Sequence, residues 1–425
     1  MSWYDDFSNR IYGSLDDVKR RGALERAISN FITKKYLLTD SSTELRYYLK
    51  RLREIKTRSI ENIHDLQRQF RENLEEVGGT VHLASNGAEA NEIVTKIMGE
   101  RKLIVKGKSM TTEEIGLNDH LEKGGKSVIE TDLGERILQA SGEKGSHIVV
   151  PAVHIPRERV AEILSKTLHQ DLPPEPILLT RAVRESLRGI WMKAEVGITG
   201  ANGLIADTGS IILVENEGNA RFVSNAPPMH IVVVGIEKLI PTLEDASVLL
   251  KVLPTYATGQ RLTSYVSIIT GPSRTADIEL TTVLGVHGPN ELHVVLIDNG
   301  RSGMRGDPDF REALYCIRCG SCLNTCPVYQ ILDGDYGRVY LGGIGAVWTY
   351  FTGSKEDAAG AAWACTDCRR CTVECPLEID VPKMVEELRA RLVESGLQPA
   401  SIRAMTENIK NAGSPYPPGL GAIEM

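Results

Sequence analysis

The sequence predicts an α/β domain placed between a helical N-terminal region and a C-terminal region that holds every cysteine. Between residues 80 and 300, short β-branched runs alternate with helical segments, a pattern typical of α/β folds. Residues 1–77 are rich in Leu, Arg, Lys and Glu and contain few glycines. All eight cysteines of the 425-residue chain lie between Cys316 and Cys375. A chain of this length is too long for one compact core and divides into two or three domains.

The N-terminal region is predicted to be helical up to residue 77. Its apolar residues recur at gaps close to the helical period and are followed by two glycines, Gly78 and Gly79, that end the helix. These apolar residues are Leu45, Leu49, Leu52, Ile55, Ile60, Ile63 and Leu66. The dense charges indicate a helix face exposed to solvent, and the alternative is a helix that docks a partner subunit.

The central region, residues 78–300, is expected to form a largely parallel or mixed sheet flanked by helices such as Ala88–Met98 and Arg157–Thr167. Glycines are frequent where its strands end, which is where α/β folds place their sites. The predicted strands are Thr80–Ala84, Leu103–Lys106, Ser127–Glu130, His147–Val150, Ser210–Val214, Ile231–Gly235, Val266–Thr270 and His293–Ile297.

Two cysteine motifs of identical spacing occupy the third region, residues 301–396. Each reads C-x2-C-x2-C-x3-C-P, the spacing with which bacterial ferredoxins hold two [4Fe–4S] clusters. A disulfide scaffold would spread its cysteines through the fold, so the clustering indicates metal in a reducing compartment. Zinc is the alternative, although structural zinc needs only four ligands. The first motif is Cys316, Cys319, Cys322 and Cys326, and the second is Cys365, Cys368, Cys371 and Cys375.

The fourth cysteine of each motif is expected to bind the other cluster, as in two-cluster ferredoxins. The predicted ligand sets are therefore Cys316, Cys319, Cys322 and Cys375 for one cluster, and Cys365, Cys368, Cys371 and Cys326 for the other. Two adjacent clusters favour an electron relay over a purely structural role. The segment between the motifs is long enough to hold helices.

The last part of the chain is predicted to contain one helix and an extended tail. Val381–Gly396 has a proline near its start and a glycine at its end, as helices often do. The tail, residues 397–425, ends in SPYPPGLGAIEM, which has three prolines and two glycines. It is expected to be extended and poorly packed.

Two glycine-rich stretches are candidates for an anion site. VKGKSM and GITGANGLIADTG each place backbone N–H groups or lysine charge where a strand ends. The candidate residues are Lys106, Lys108, Gly200, Gly203 and Gly209. The alternative is that these glycines only serve tight turns with positive φ. His147 and His154 are expected to be satisfied within the fold, and no catalytic residue is identified.

Composition excludes several classes of partner. A formal net charge of −7 and only 5% aromatic residues argue against nucleic acid and against an anionic membrane surface. No apolar run approaches the length of a membrane span, and the N-terminus lacks signal-peptide features. We expect a cytoplasmic protein whose association with a membrane would come only through a partner.

Several segments together resemble the lactate-utilisation protein B (LutB/LldF) family. VKGKSMTTEEIGLNDHLEKGG, IETDLGERILQ, GSHIVVPAVH, the long glycine-rich segment from GITGANGLIADTG to GIEKLIPTLEDA, and SIITGPSRTADIE precede both cysteine motifs in that order. The resemblance covers roughly residues 80–395. It implies a LUD domain, similar to the NagB/RpiA/CoA-transferase group, joined to an α-helical ferredoxin-type domain with two [4Fe–4S] clusters.

The same resemblance implies an iron–sulfur subunit of an L-lactate dehydrogenase complex that makes pyruvate. The implied partners are a cysteine-rich-domain protein, a second and smaller LUD protein, and a downstream acceptor such as a quinone, flavoprotein or cytochrome. Three alternatives stay open. The chain could serve another 2-hydroxy-acid oxidoreductase, its LUD domain could bind the substrate anion itself, or it could be a redox-responsive scaffold.

Overall fold

The computed structural model describes residues 2–40 and 42–416. Its N-terminal part consists of four helices: α1 (Trp3–Asp16), α2 (Val18–Thr39), α3 (Thr43–Glu61) and α4 (Ile63–Glu76). The apolar periodicity is confirmed, because Leu52, Ile55, Ile60 and Ile63 are buried. The helix is not continuous, however. Asn62 interrupts it with a non-helical backbone. Asparagine is unfavourable inside helices because its side chain hydrogen-bonds nearby backbone groups in non-helical conformations.

Twelve short strands follow in the described part of the chain. They are β1 (Thr80–Ala84), β2 (Leu103–Lys106), β3 (Ser127–Glu130), β4 (Val196–Thr199), β5 (Gly203–Ile205), β6 (Ser210–Glu215), β7 (Met229–Gly235), β8 (Leu239–Ile240), β9 (Tyr265–Ile269), β10 (Arg274–Thr275), β11 (Val283–Leu284) and β12 (Glu291–Ile297). The helices among them are α5 (Gly87–Met98), α6 (Met110–Glu114), α7 (Leu117–Lys123), α8 (Leu133–Ser141), α9 (Arg157–Leu168), α10 (Pro176–Trp191), α11 (Asn219–Asn225) and α12 (Leu243–Thr258).

The central sheet has six parallel strands in the order β1-β12-β7-β4-β2-β3. Its middle strand β7 is buried on both faces, with Ile231 and Val233 in one core and Val232 and Val234 in the other. This continuous apolar run is typical of a parallel sheet covered by helices on both sides. The α/β prediction is confirmed.

A second sheet, of order β8-β5-β6-β9, packs beside the central one together with α3, α4 and α12. Its pairings are mixed, since β5 runs parallel to β8 and antiparallel to β6. The glycine-rich stretch predicted as a candidate anion loop contributes strands to both sheets. Val196–Thr199 is a fully buried strand of the central sheet, and Gly203–Ile205 lies in the second sheet.

Seven of the eight predicted strands coincide with observed strands, and His147–Val150 is wrong. There the Nδ1 atom of His147 accepts hydrogen bonds from the backbone N–H groups of Val149 and Val150, which bends the chain. Pro151 follows, and because proline has no backbone N–H, the hydrogen-bond ladder of a sheet could not continue through it. This bent segment lies against the C-terminal domain instead of joining a sheet.

The C-terminal domain is helical throughout. Its helices are α13 (Arg301–Gly306), α14 (Ser321–Asn324), α15 (Tyr329–Leu332), α16 (Gly342–Thr352), α17 (Lys355–Ala364), α18 (Arg370–Val373), α19 (Val381–Glu394) and α20 (Ala400–Ala412). The α16, α17 and α19 helices pack against one another. The tail expected to be extended contains α20, which begins after Pro399 and ends at Gly413 with positive φ. Residues 417–425 of that tail lie outside the described residues.

The N-terminal helices join the two domains. Arg20 of α2 pairs with Asp333 at 2.5 Å, and Lys35 pairs with Glu374. Phe7 of α1 packs on Gly360, where a Cβ would clash with its ring. The α2 and α3 helices also pack on α12 of the α/β domain. No helix in residues 2–40 and 42–416 has both the length and the apolar character to cross a bilayer.

Candidate iron–sulfur site

The two cysteine loops share one backbone conformation. Arg318 and Gly320 flank the second cysteine of the first motif with φ values of 62° and 77°. Asp367 and Arg369 hold the equivalent positions of the second motif with φ values of 55° and 61°. Left-handed residues turn successive backbone N–H groups toward one concave side, which is a common way to hold an anionic cluster. The repeated conformation indicates that both loops are built for the same type of ligand.

Backbone N–H groups reach four of the cysteine sulfurs and favour the thiolate form of each. The fourth cysteine of each motif receives two such hydrogen bonds from the turn that follows its proline. The donors are Ser321 to Cys319, Val328 and Tyr329 to Cys326, Thr372 to Cys371, and Leu377 and Ile379 to Cys375. Hydrogen bonds to cluster ligands are one of the means by which proteins set a cluster's potential.

Two cavities bring the cysteines of both motifs together. The first cavity is lined by Cys316, Cys319, Cys322, Cys371 and Cys375. The second cavity is lined by Cys322, Cys326, Cys365, Cys368 and Cys371. The last cysteine of each motif therefore lies with the first three cysteines of the other motif. We call Cys316, Cys319, Cys322 and Cys375 the first cysteine site, and Cys326, Cys365, Cys368 and Cys371 the second cysteine site.

The residues present fit an iron–sulfur ligand. Burial raises the pKa of Cys326 and of Cys375 to about 11, and that of Cys371 to about 12. These thiols would be neutral at pH 7 unless a metal displaced their protons. In the second cavity, the buried hydroxyl of Tyr336 has no oxygen or nitrogen partner within residues 2–40 and 42–416, and it lies beside the Cys365 thiol. A cluster held by Cys365 would give this hydroxyl a sulfur acceptor.

Cations surround the first cysteine site. Lys56, Lys238 and Arg318 lie near Cys316, close enough for a thiolate ligand there to act on both lysines. Lys35 lies near Cys319, and Arg53 lies near Cys375. Burial lowers the pKa of Lys56 to about 7 and also lowers that of Lys238. A cluster with four thiolate ligands carries net negative charge, so these cations offset part of the cost of burying it.

A buried ionic network joins α13 of the C-terminal domain to the α/β domain. Arg301 is fully buried and pairs with Glu237 and, at 2.9 Å, with Glu114. The Arg318 guanidinium lies 3.8 Å from the centre of the Trp348 ring and 4.0 Å from that of Tyr340. Arg301 lies over the same Trp348 ring, at 5.1 Å, so this ring contacts both the buried ion pairs and the first loop.

Known protein families match both the α/β domain and the C-terminal domain. The LUD domain family matches residues 67–297, and the 4Fe-4S dicluster domain family matches residues 312–379. Lactate utilization protein B of Bacillus subtilis is 38% identical over 92% of this chain and 80% of its own length. The chain belongs to the lactate utilization protein B family.

Other relatives support the same placement. Lactate utilization protein B of Bacillus thuringiensis is 37% identical over 91% of this chain and 80% of its own length. The Escherichia coli protein named uncharacterized electron transport protein YkgF is 35% identical over 99% of this chain and 87% of its own length. As a member of this family with a 4Fe-4S dicluster domain, the chain holds two [4Fe–4S] clusters. The ligand set of each cluster remains a prediction.

The residues predicted for an anion site have ion-pair or packing roles in the structure. Lys106 is buried and pairs with Glu130 at 2.7 Å, while Lys108 pairs with Glu135 at 3.2 Å. The three glycines have packing roles, because a Cβ at each would clash with a neighbour. The distances would be 2.6 Å to Ser109 Oγ from Gly200, 2.9 Å to Ile240 from Gly203, and 2.4 Å to the Leu74 backbone from Gly209. Of the five residues, only Lys108 lines a cavity beside the C-terminal domain.

The cations around the first cysteine site could not be predicted from the sequence. Lys56 lies in a charged helix where it resembles a solvent-exposed residue, and Lys238 follows a strand far from both motifs. Arg318 alone carried a signal, because it stands inside the first motif. The buried Tyr336 was also missed, since nothing in its local sequence distinguishes it from a core tyrosine.

Proposed function

We propose that this chain is the iron–sulfur electron-transfer subunit of a complex that oxidises L-lactate to pyruvate. The observation that supports this most strongly is the contact between the two cysteine sites. Cys322 and Cys371 line both cavities, so the two ligand sets adjoin. Relatives that share 35–38% identity are named for lactate utilization and for electron transport.

The chain's residues provide an electron path from the surface to the interior. When bound, each cluster accepts and releases one electron, so two clusters together match the two electrons lost when lactate becomes pyruvate. Residues 366–370 are exposed and include Cys368, which places one end of the path at the surface. Cys319, in contrast, is buried at the other end. The oxidation of lactate itself is assigned to a partner.

The proposed partners are a cysteine-rich-domain protein and a second, smaller LUD protein. Electrons would leave the complex toward a quinone, flavoprotein or cytochrome. The exposed loop around Cys368 is the surface on which we expect one redox partner to dock. We place this work in the cytoplasm, because eight iron-ligating cysteines need a reducing compartment.

Low-temperature EPR tests the proposal. The chain is purified anaerobically with both clusters loaded, alone and with the two partners, and spectra are recorded before and after L-lactate is added. We expect lactate to reduce the [4Fe–4S] signals only when the partners are present. Reduction of the isolated chain by lactate would contradict the assignment of oxidation to a partner. No reduction in a complete, cluster-loaded complex would exclude lactate as the electron source.

A further inference from the structure

A charged cavity lies where the LUD side meets the C-terminal domain, outside both cysteine sites. We call it the junction cavity. Its volume is about 310 Å³, and Lys108, Glu113, Glu135, Lys144 and Arg338 supply its charged groups. A space of this size suits a small organic molecule rather than a nucleotide.

Most of these charges already have partners. Lys108 pairs with Glu135 inside the cavity, and Arg338 pairs with Asp6 and Asp357 outside it. Lys144 differs, because within the described residues it forms no salt bridge. Its ammonium donates instead to the backbone carbonyls of Gly334 and Gly337, at 3.0 and 2.9 Å.

Lys144 therefore carries a charge that the protein does not neutralise. Burial, together with the charges of nearby Arg10 and Arg338, lowers its pKa to about 8. The carboxylate that acts on it, Asp335, is engaged by Arg20 at 3.3 Å. An ammonium at the rim of the cavity that has no carboxylate partner among the described residues is free to pair with a bound anion.

Glu113 provides a second polar group in the same cavity. Its Oε1 atom is buried and has no hydrogen-bond partner among the described residues. Burial and the neighbouring Glu135 raise its pKa to about 7, so near neutral pH it can either donate or accept a hydrogen bond. Such a group suits a hydroxyl or carbonyl oxygen next to the carboxylate of a ligand.

The junction cavity also borders the first cysteine site. Ile148 and Leu341 line the junction cavity and the first cavity alike, so one layer of aliphatic side chains separates them. A ligand bound in the junction cavity would therefore change the charge close to the first cysteine site.

We propose that the junction cavity binds a small organic monocarboxylate through Lys144, beside the first cysteine site. One unneutralised cation matches one negative charge, whereas Glu113 and Glu135 repel a dianion such as phosphate. This proposal does not depend on the proposed function, because binding is measured without any electron transfer.

Isothermal titration calorimetry on the cluster-loaded chain, under anaerobic conditions at pH 7.5, tests the binding, because Lys144 is then mostly protonated and phosphate is mostly a dianion. The probes are L-lactate, pyruvate and inorganic phosphate. We expect a carboxylate to bind and Lys144→Met to weaken that binding about tenfold or more, because a charge-assisted hydrogen bond is lost. Lys126→Met is the matched control, since Lys126 also donates to a backbone carbonyl, that of Gly99, and does not line the cavity.

Two further measurements keep the test decisive if Lys144→Met fails to load its clusters. Glu113→Gln removes one repelling carboxylate and is expected to increase phosphate affinity while carboxylate binding persists. The bound carboxylate should also shift the EPR signal of one cluster and leave the other unchanged. The proposal is overturned if neither carboxylate binds, or if phosphate binds the unmodified chain as tightly as a carboxylate does. It is also overturned if a cluster-loaded Lys144→Met variant binds the carboxylate with unchanged affinity.

Discussion

The first and second cysteine sites have the same spacing and the same loop conformation but opposite surroundings. The first site lies beneath the N-terminal helices and the LUD side, with Lys56, Lys238 and Arg318 around it. The second site is at the surface, where Cys368 and residues 366–370 are exposed. The motif therefore determines which cofactor is bound. The packing around each site determines how exposed its cluster is, which charged side chains lie near it and whether a partner can reach it.

The difference has an electrostatic consequence. Reduction adds negative charge to a cluster, and buried cations stabilise that charge more than exposed ones because water does not screen them. Arg369 and Arg370 of the second loop are exposed, so their effect is screened. The first site is therefore suited to retain an electron, and the second to exchange it with a partner.

The largest expected effect comes from substituting the crossing cysteines. Cys375→Ser lies in the second motif, yet we expect it to disturb the cluster of the first site, and Cys326→Ser to disturb the cluster of the second. Iron content should fall to about half in each variant, because one of two clusters loses a ligand. Iron analysis with EPR identifies which cluster remains. If Cys375→Ser disturbs the same cluster as Cys368→Ser, the crossed pairing is wrong.

The next effect concerns the arginines that support the two sites. Arg301→Met leaves Glu114 and Glu237 buried without their cation, and we expect it to lower the free energy of unfolding by about 3–5 kcal/mol. Arg389→Met removes hydrogen bonds to the carbonyls of Ala362 and Cys365 near the second site. Its expected cost is about 1–3 kcal/mol, as for the loss of charged hydrogen-bond donors.

Thermal unfolding of both variants, under anaerobic conditions at one heating rate, makes the comparison. The Arg301→Met variant should unfold at a clearly lower temperature than Arg389→Met. Equal shifts would show that the first site is no more firmly supported than the second.

The smallest effect is on the reduction potentials. Lys238→Met removes a half-buried cation near Cys316 and should lower the potential of the first-site cluster by about 60 mV, a tenfold change in a one-electron equilibrium. Arg370→Met is the matched control at the exposed second loop, where screening should keep the shift below about 20 mV. An EPR-monitored redox titration measures both. A larger shift in Arg370→Met would reverse the electrostatic contrast.

The sequence by itself determined the ligand type, the α/β class and the positions of most strands. Cysteine spacing is local, because two-residue gaps let one loop provide three ligands whatever surrounds it. Strands such as Leu103–Lys106 and His293–Ile297 were found because a buried parallel strand needs a continuous apolar run. The strand Val196–Thr199 could not be predicted because Gly197 interrupts its apolar run. A glycine is required there, since a Cβ would clash with the backbone oxygen of Val223.

Only the tertiary structure decided which cysteine site is buried and which charges surround it. Lys56, Lys238 and Arg318 come from three distant parts of the chain, and no local pattern records that they meet near Cys316. The same holds for Lys144, Glu113 and Arg338, which line one cavity only because the LUD side packs on the C-terminal domain. Coordination chemistry acts over a few neighbouring residues, whereas burial and electrostatics depend on everything that packs within reach.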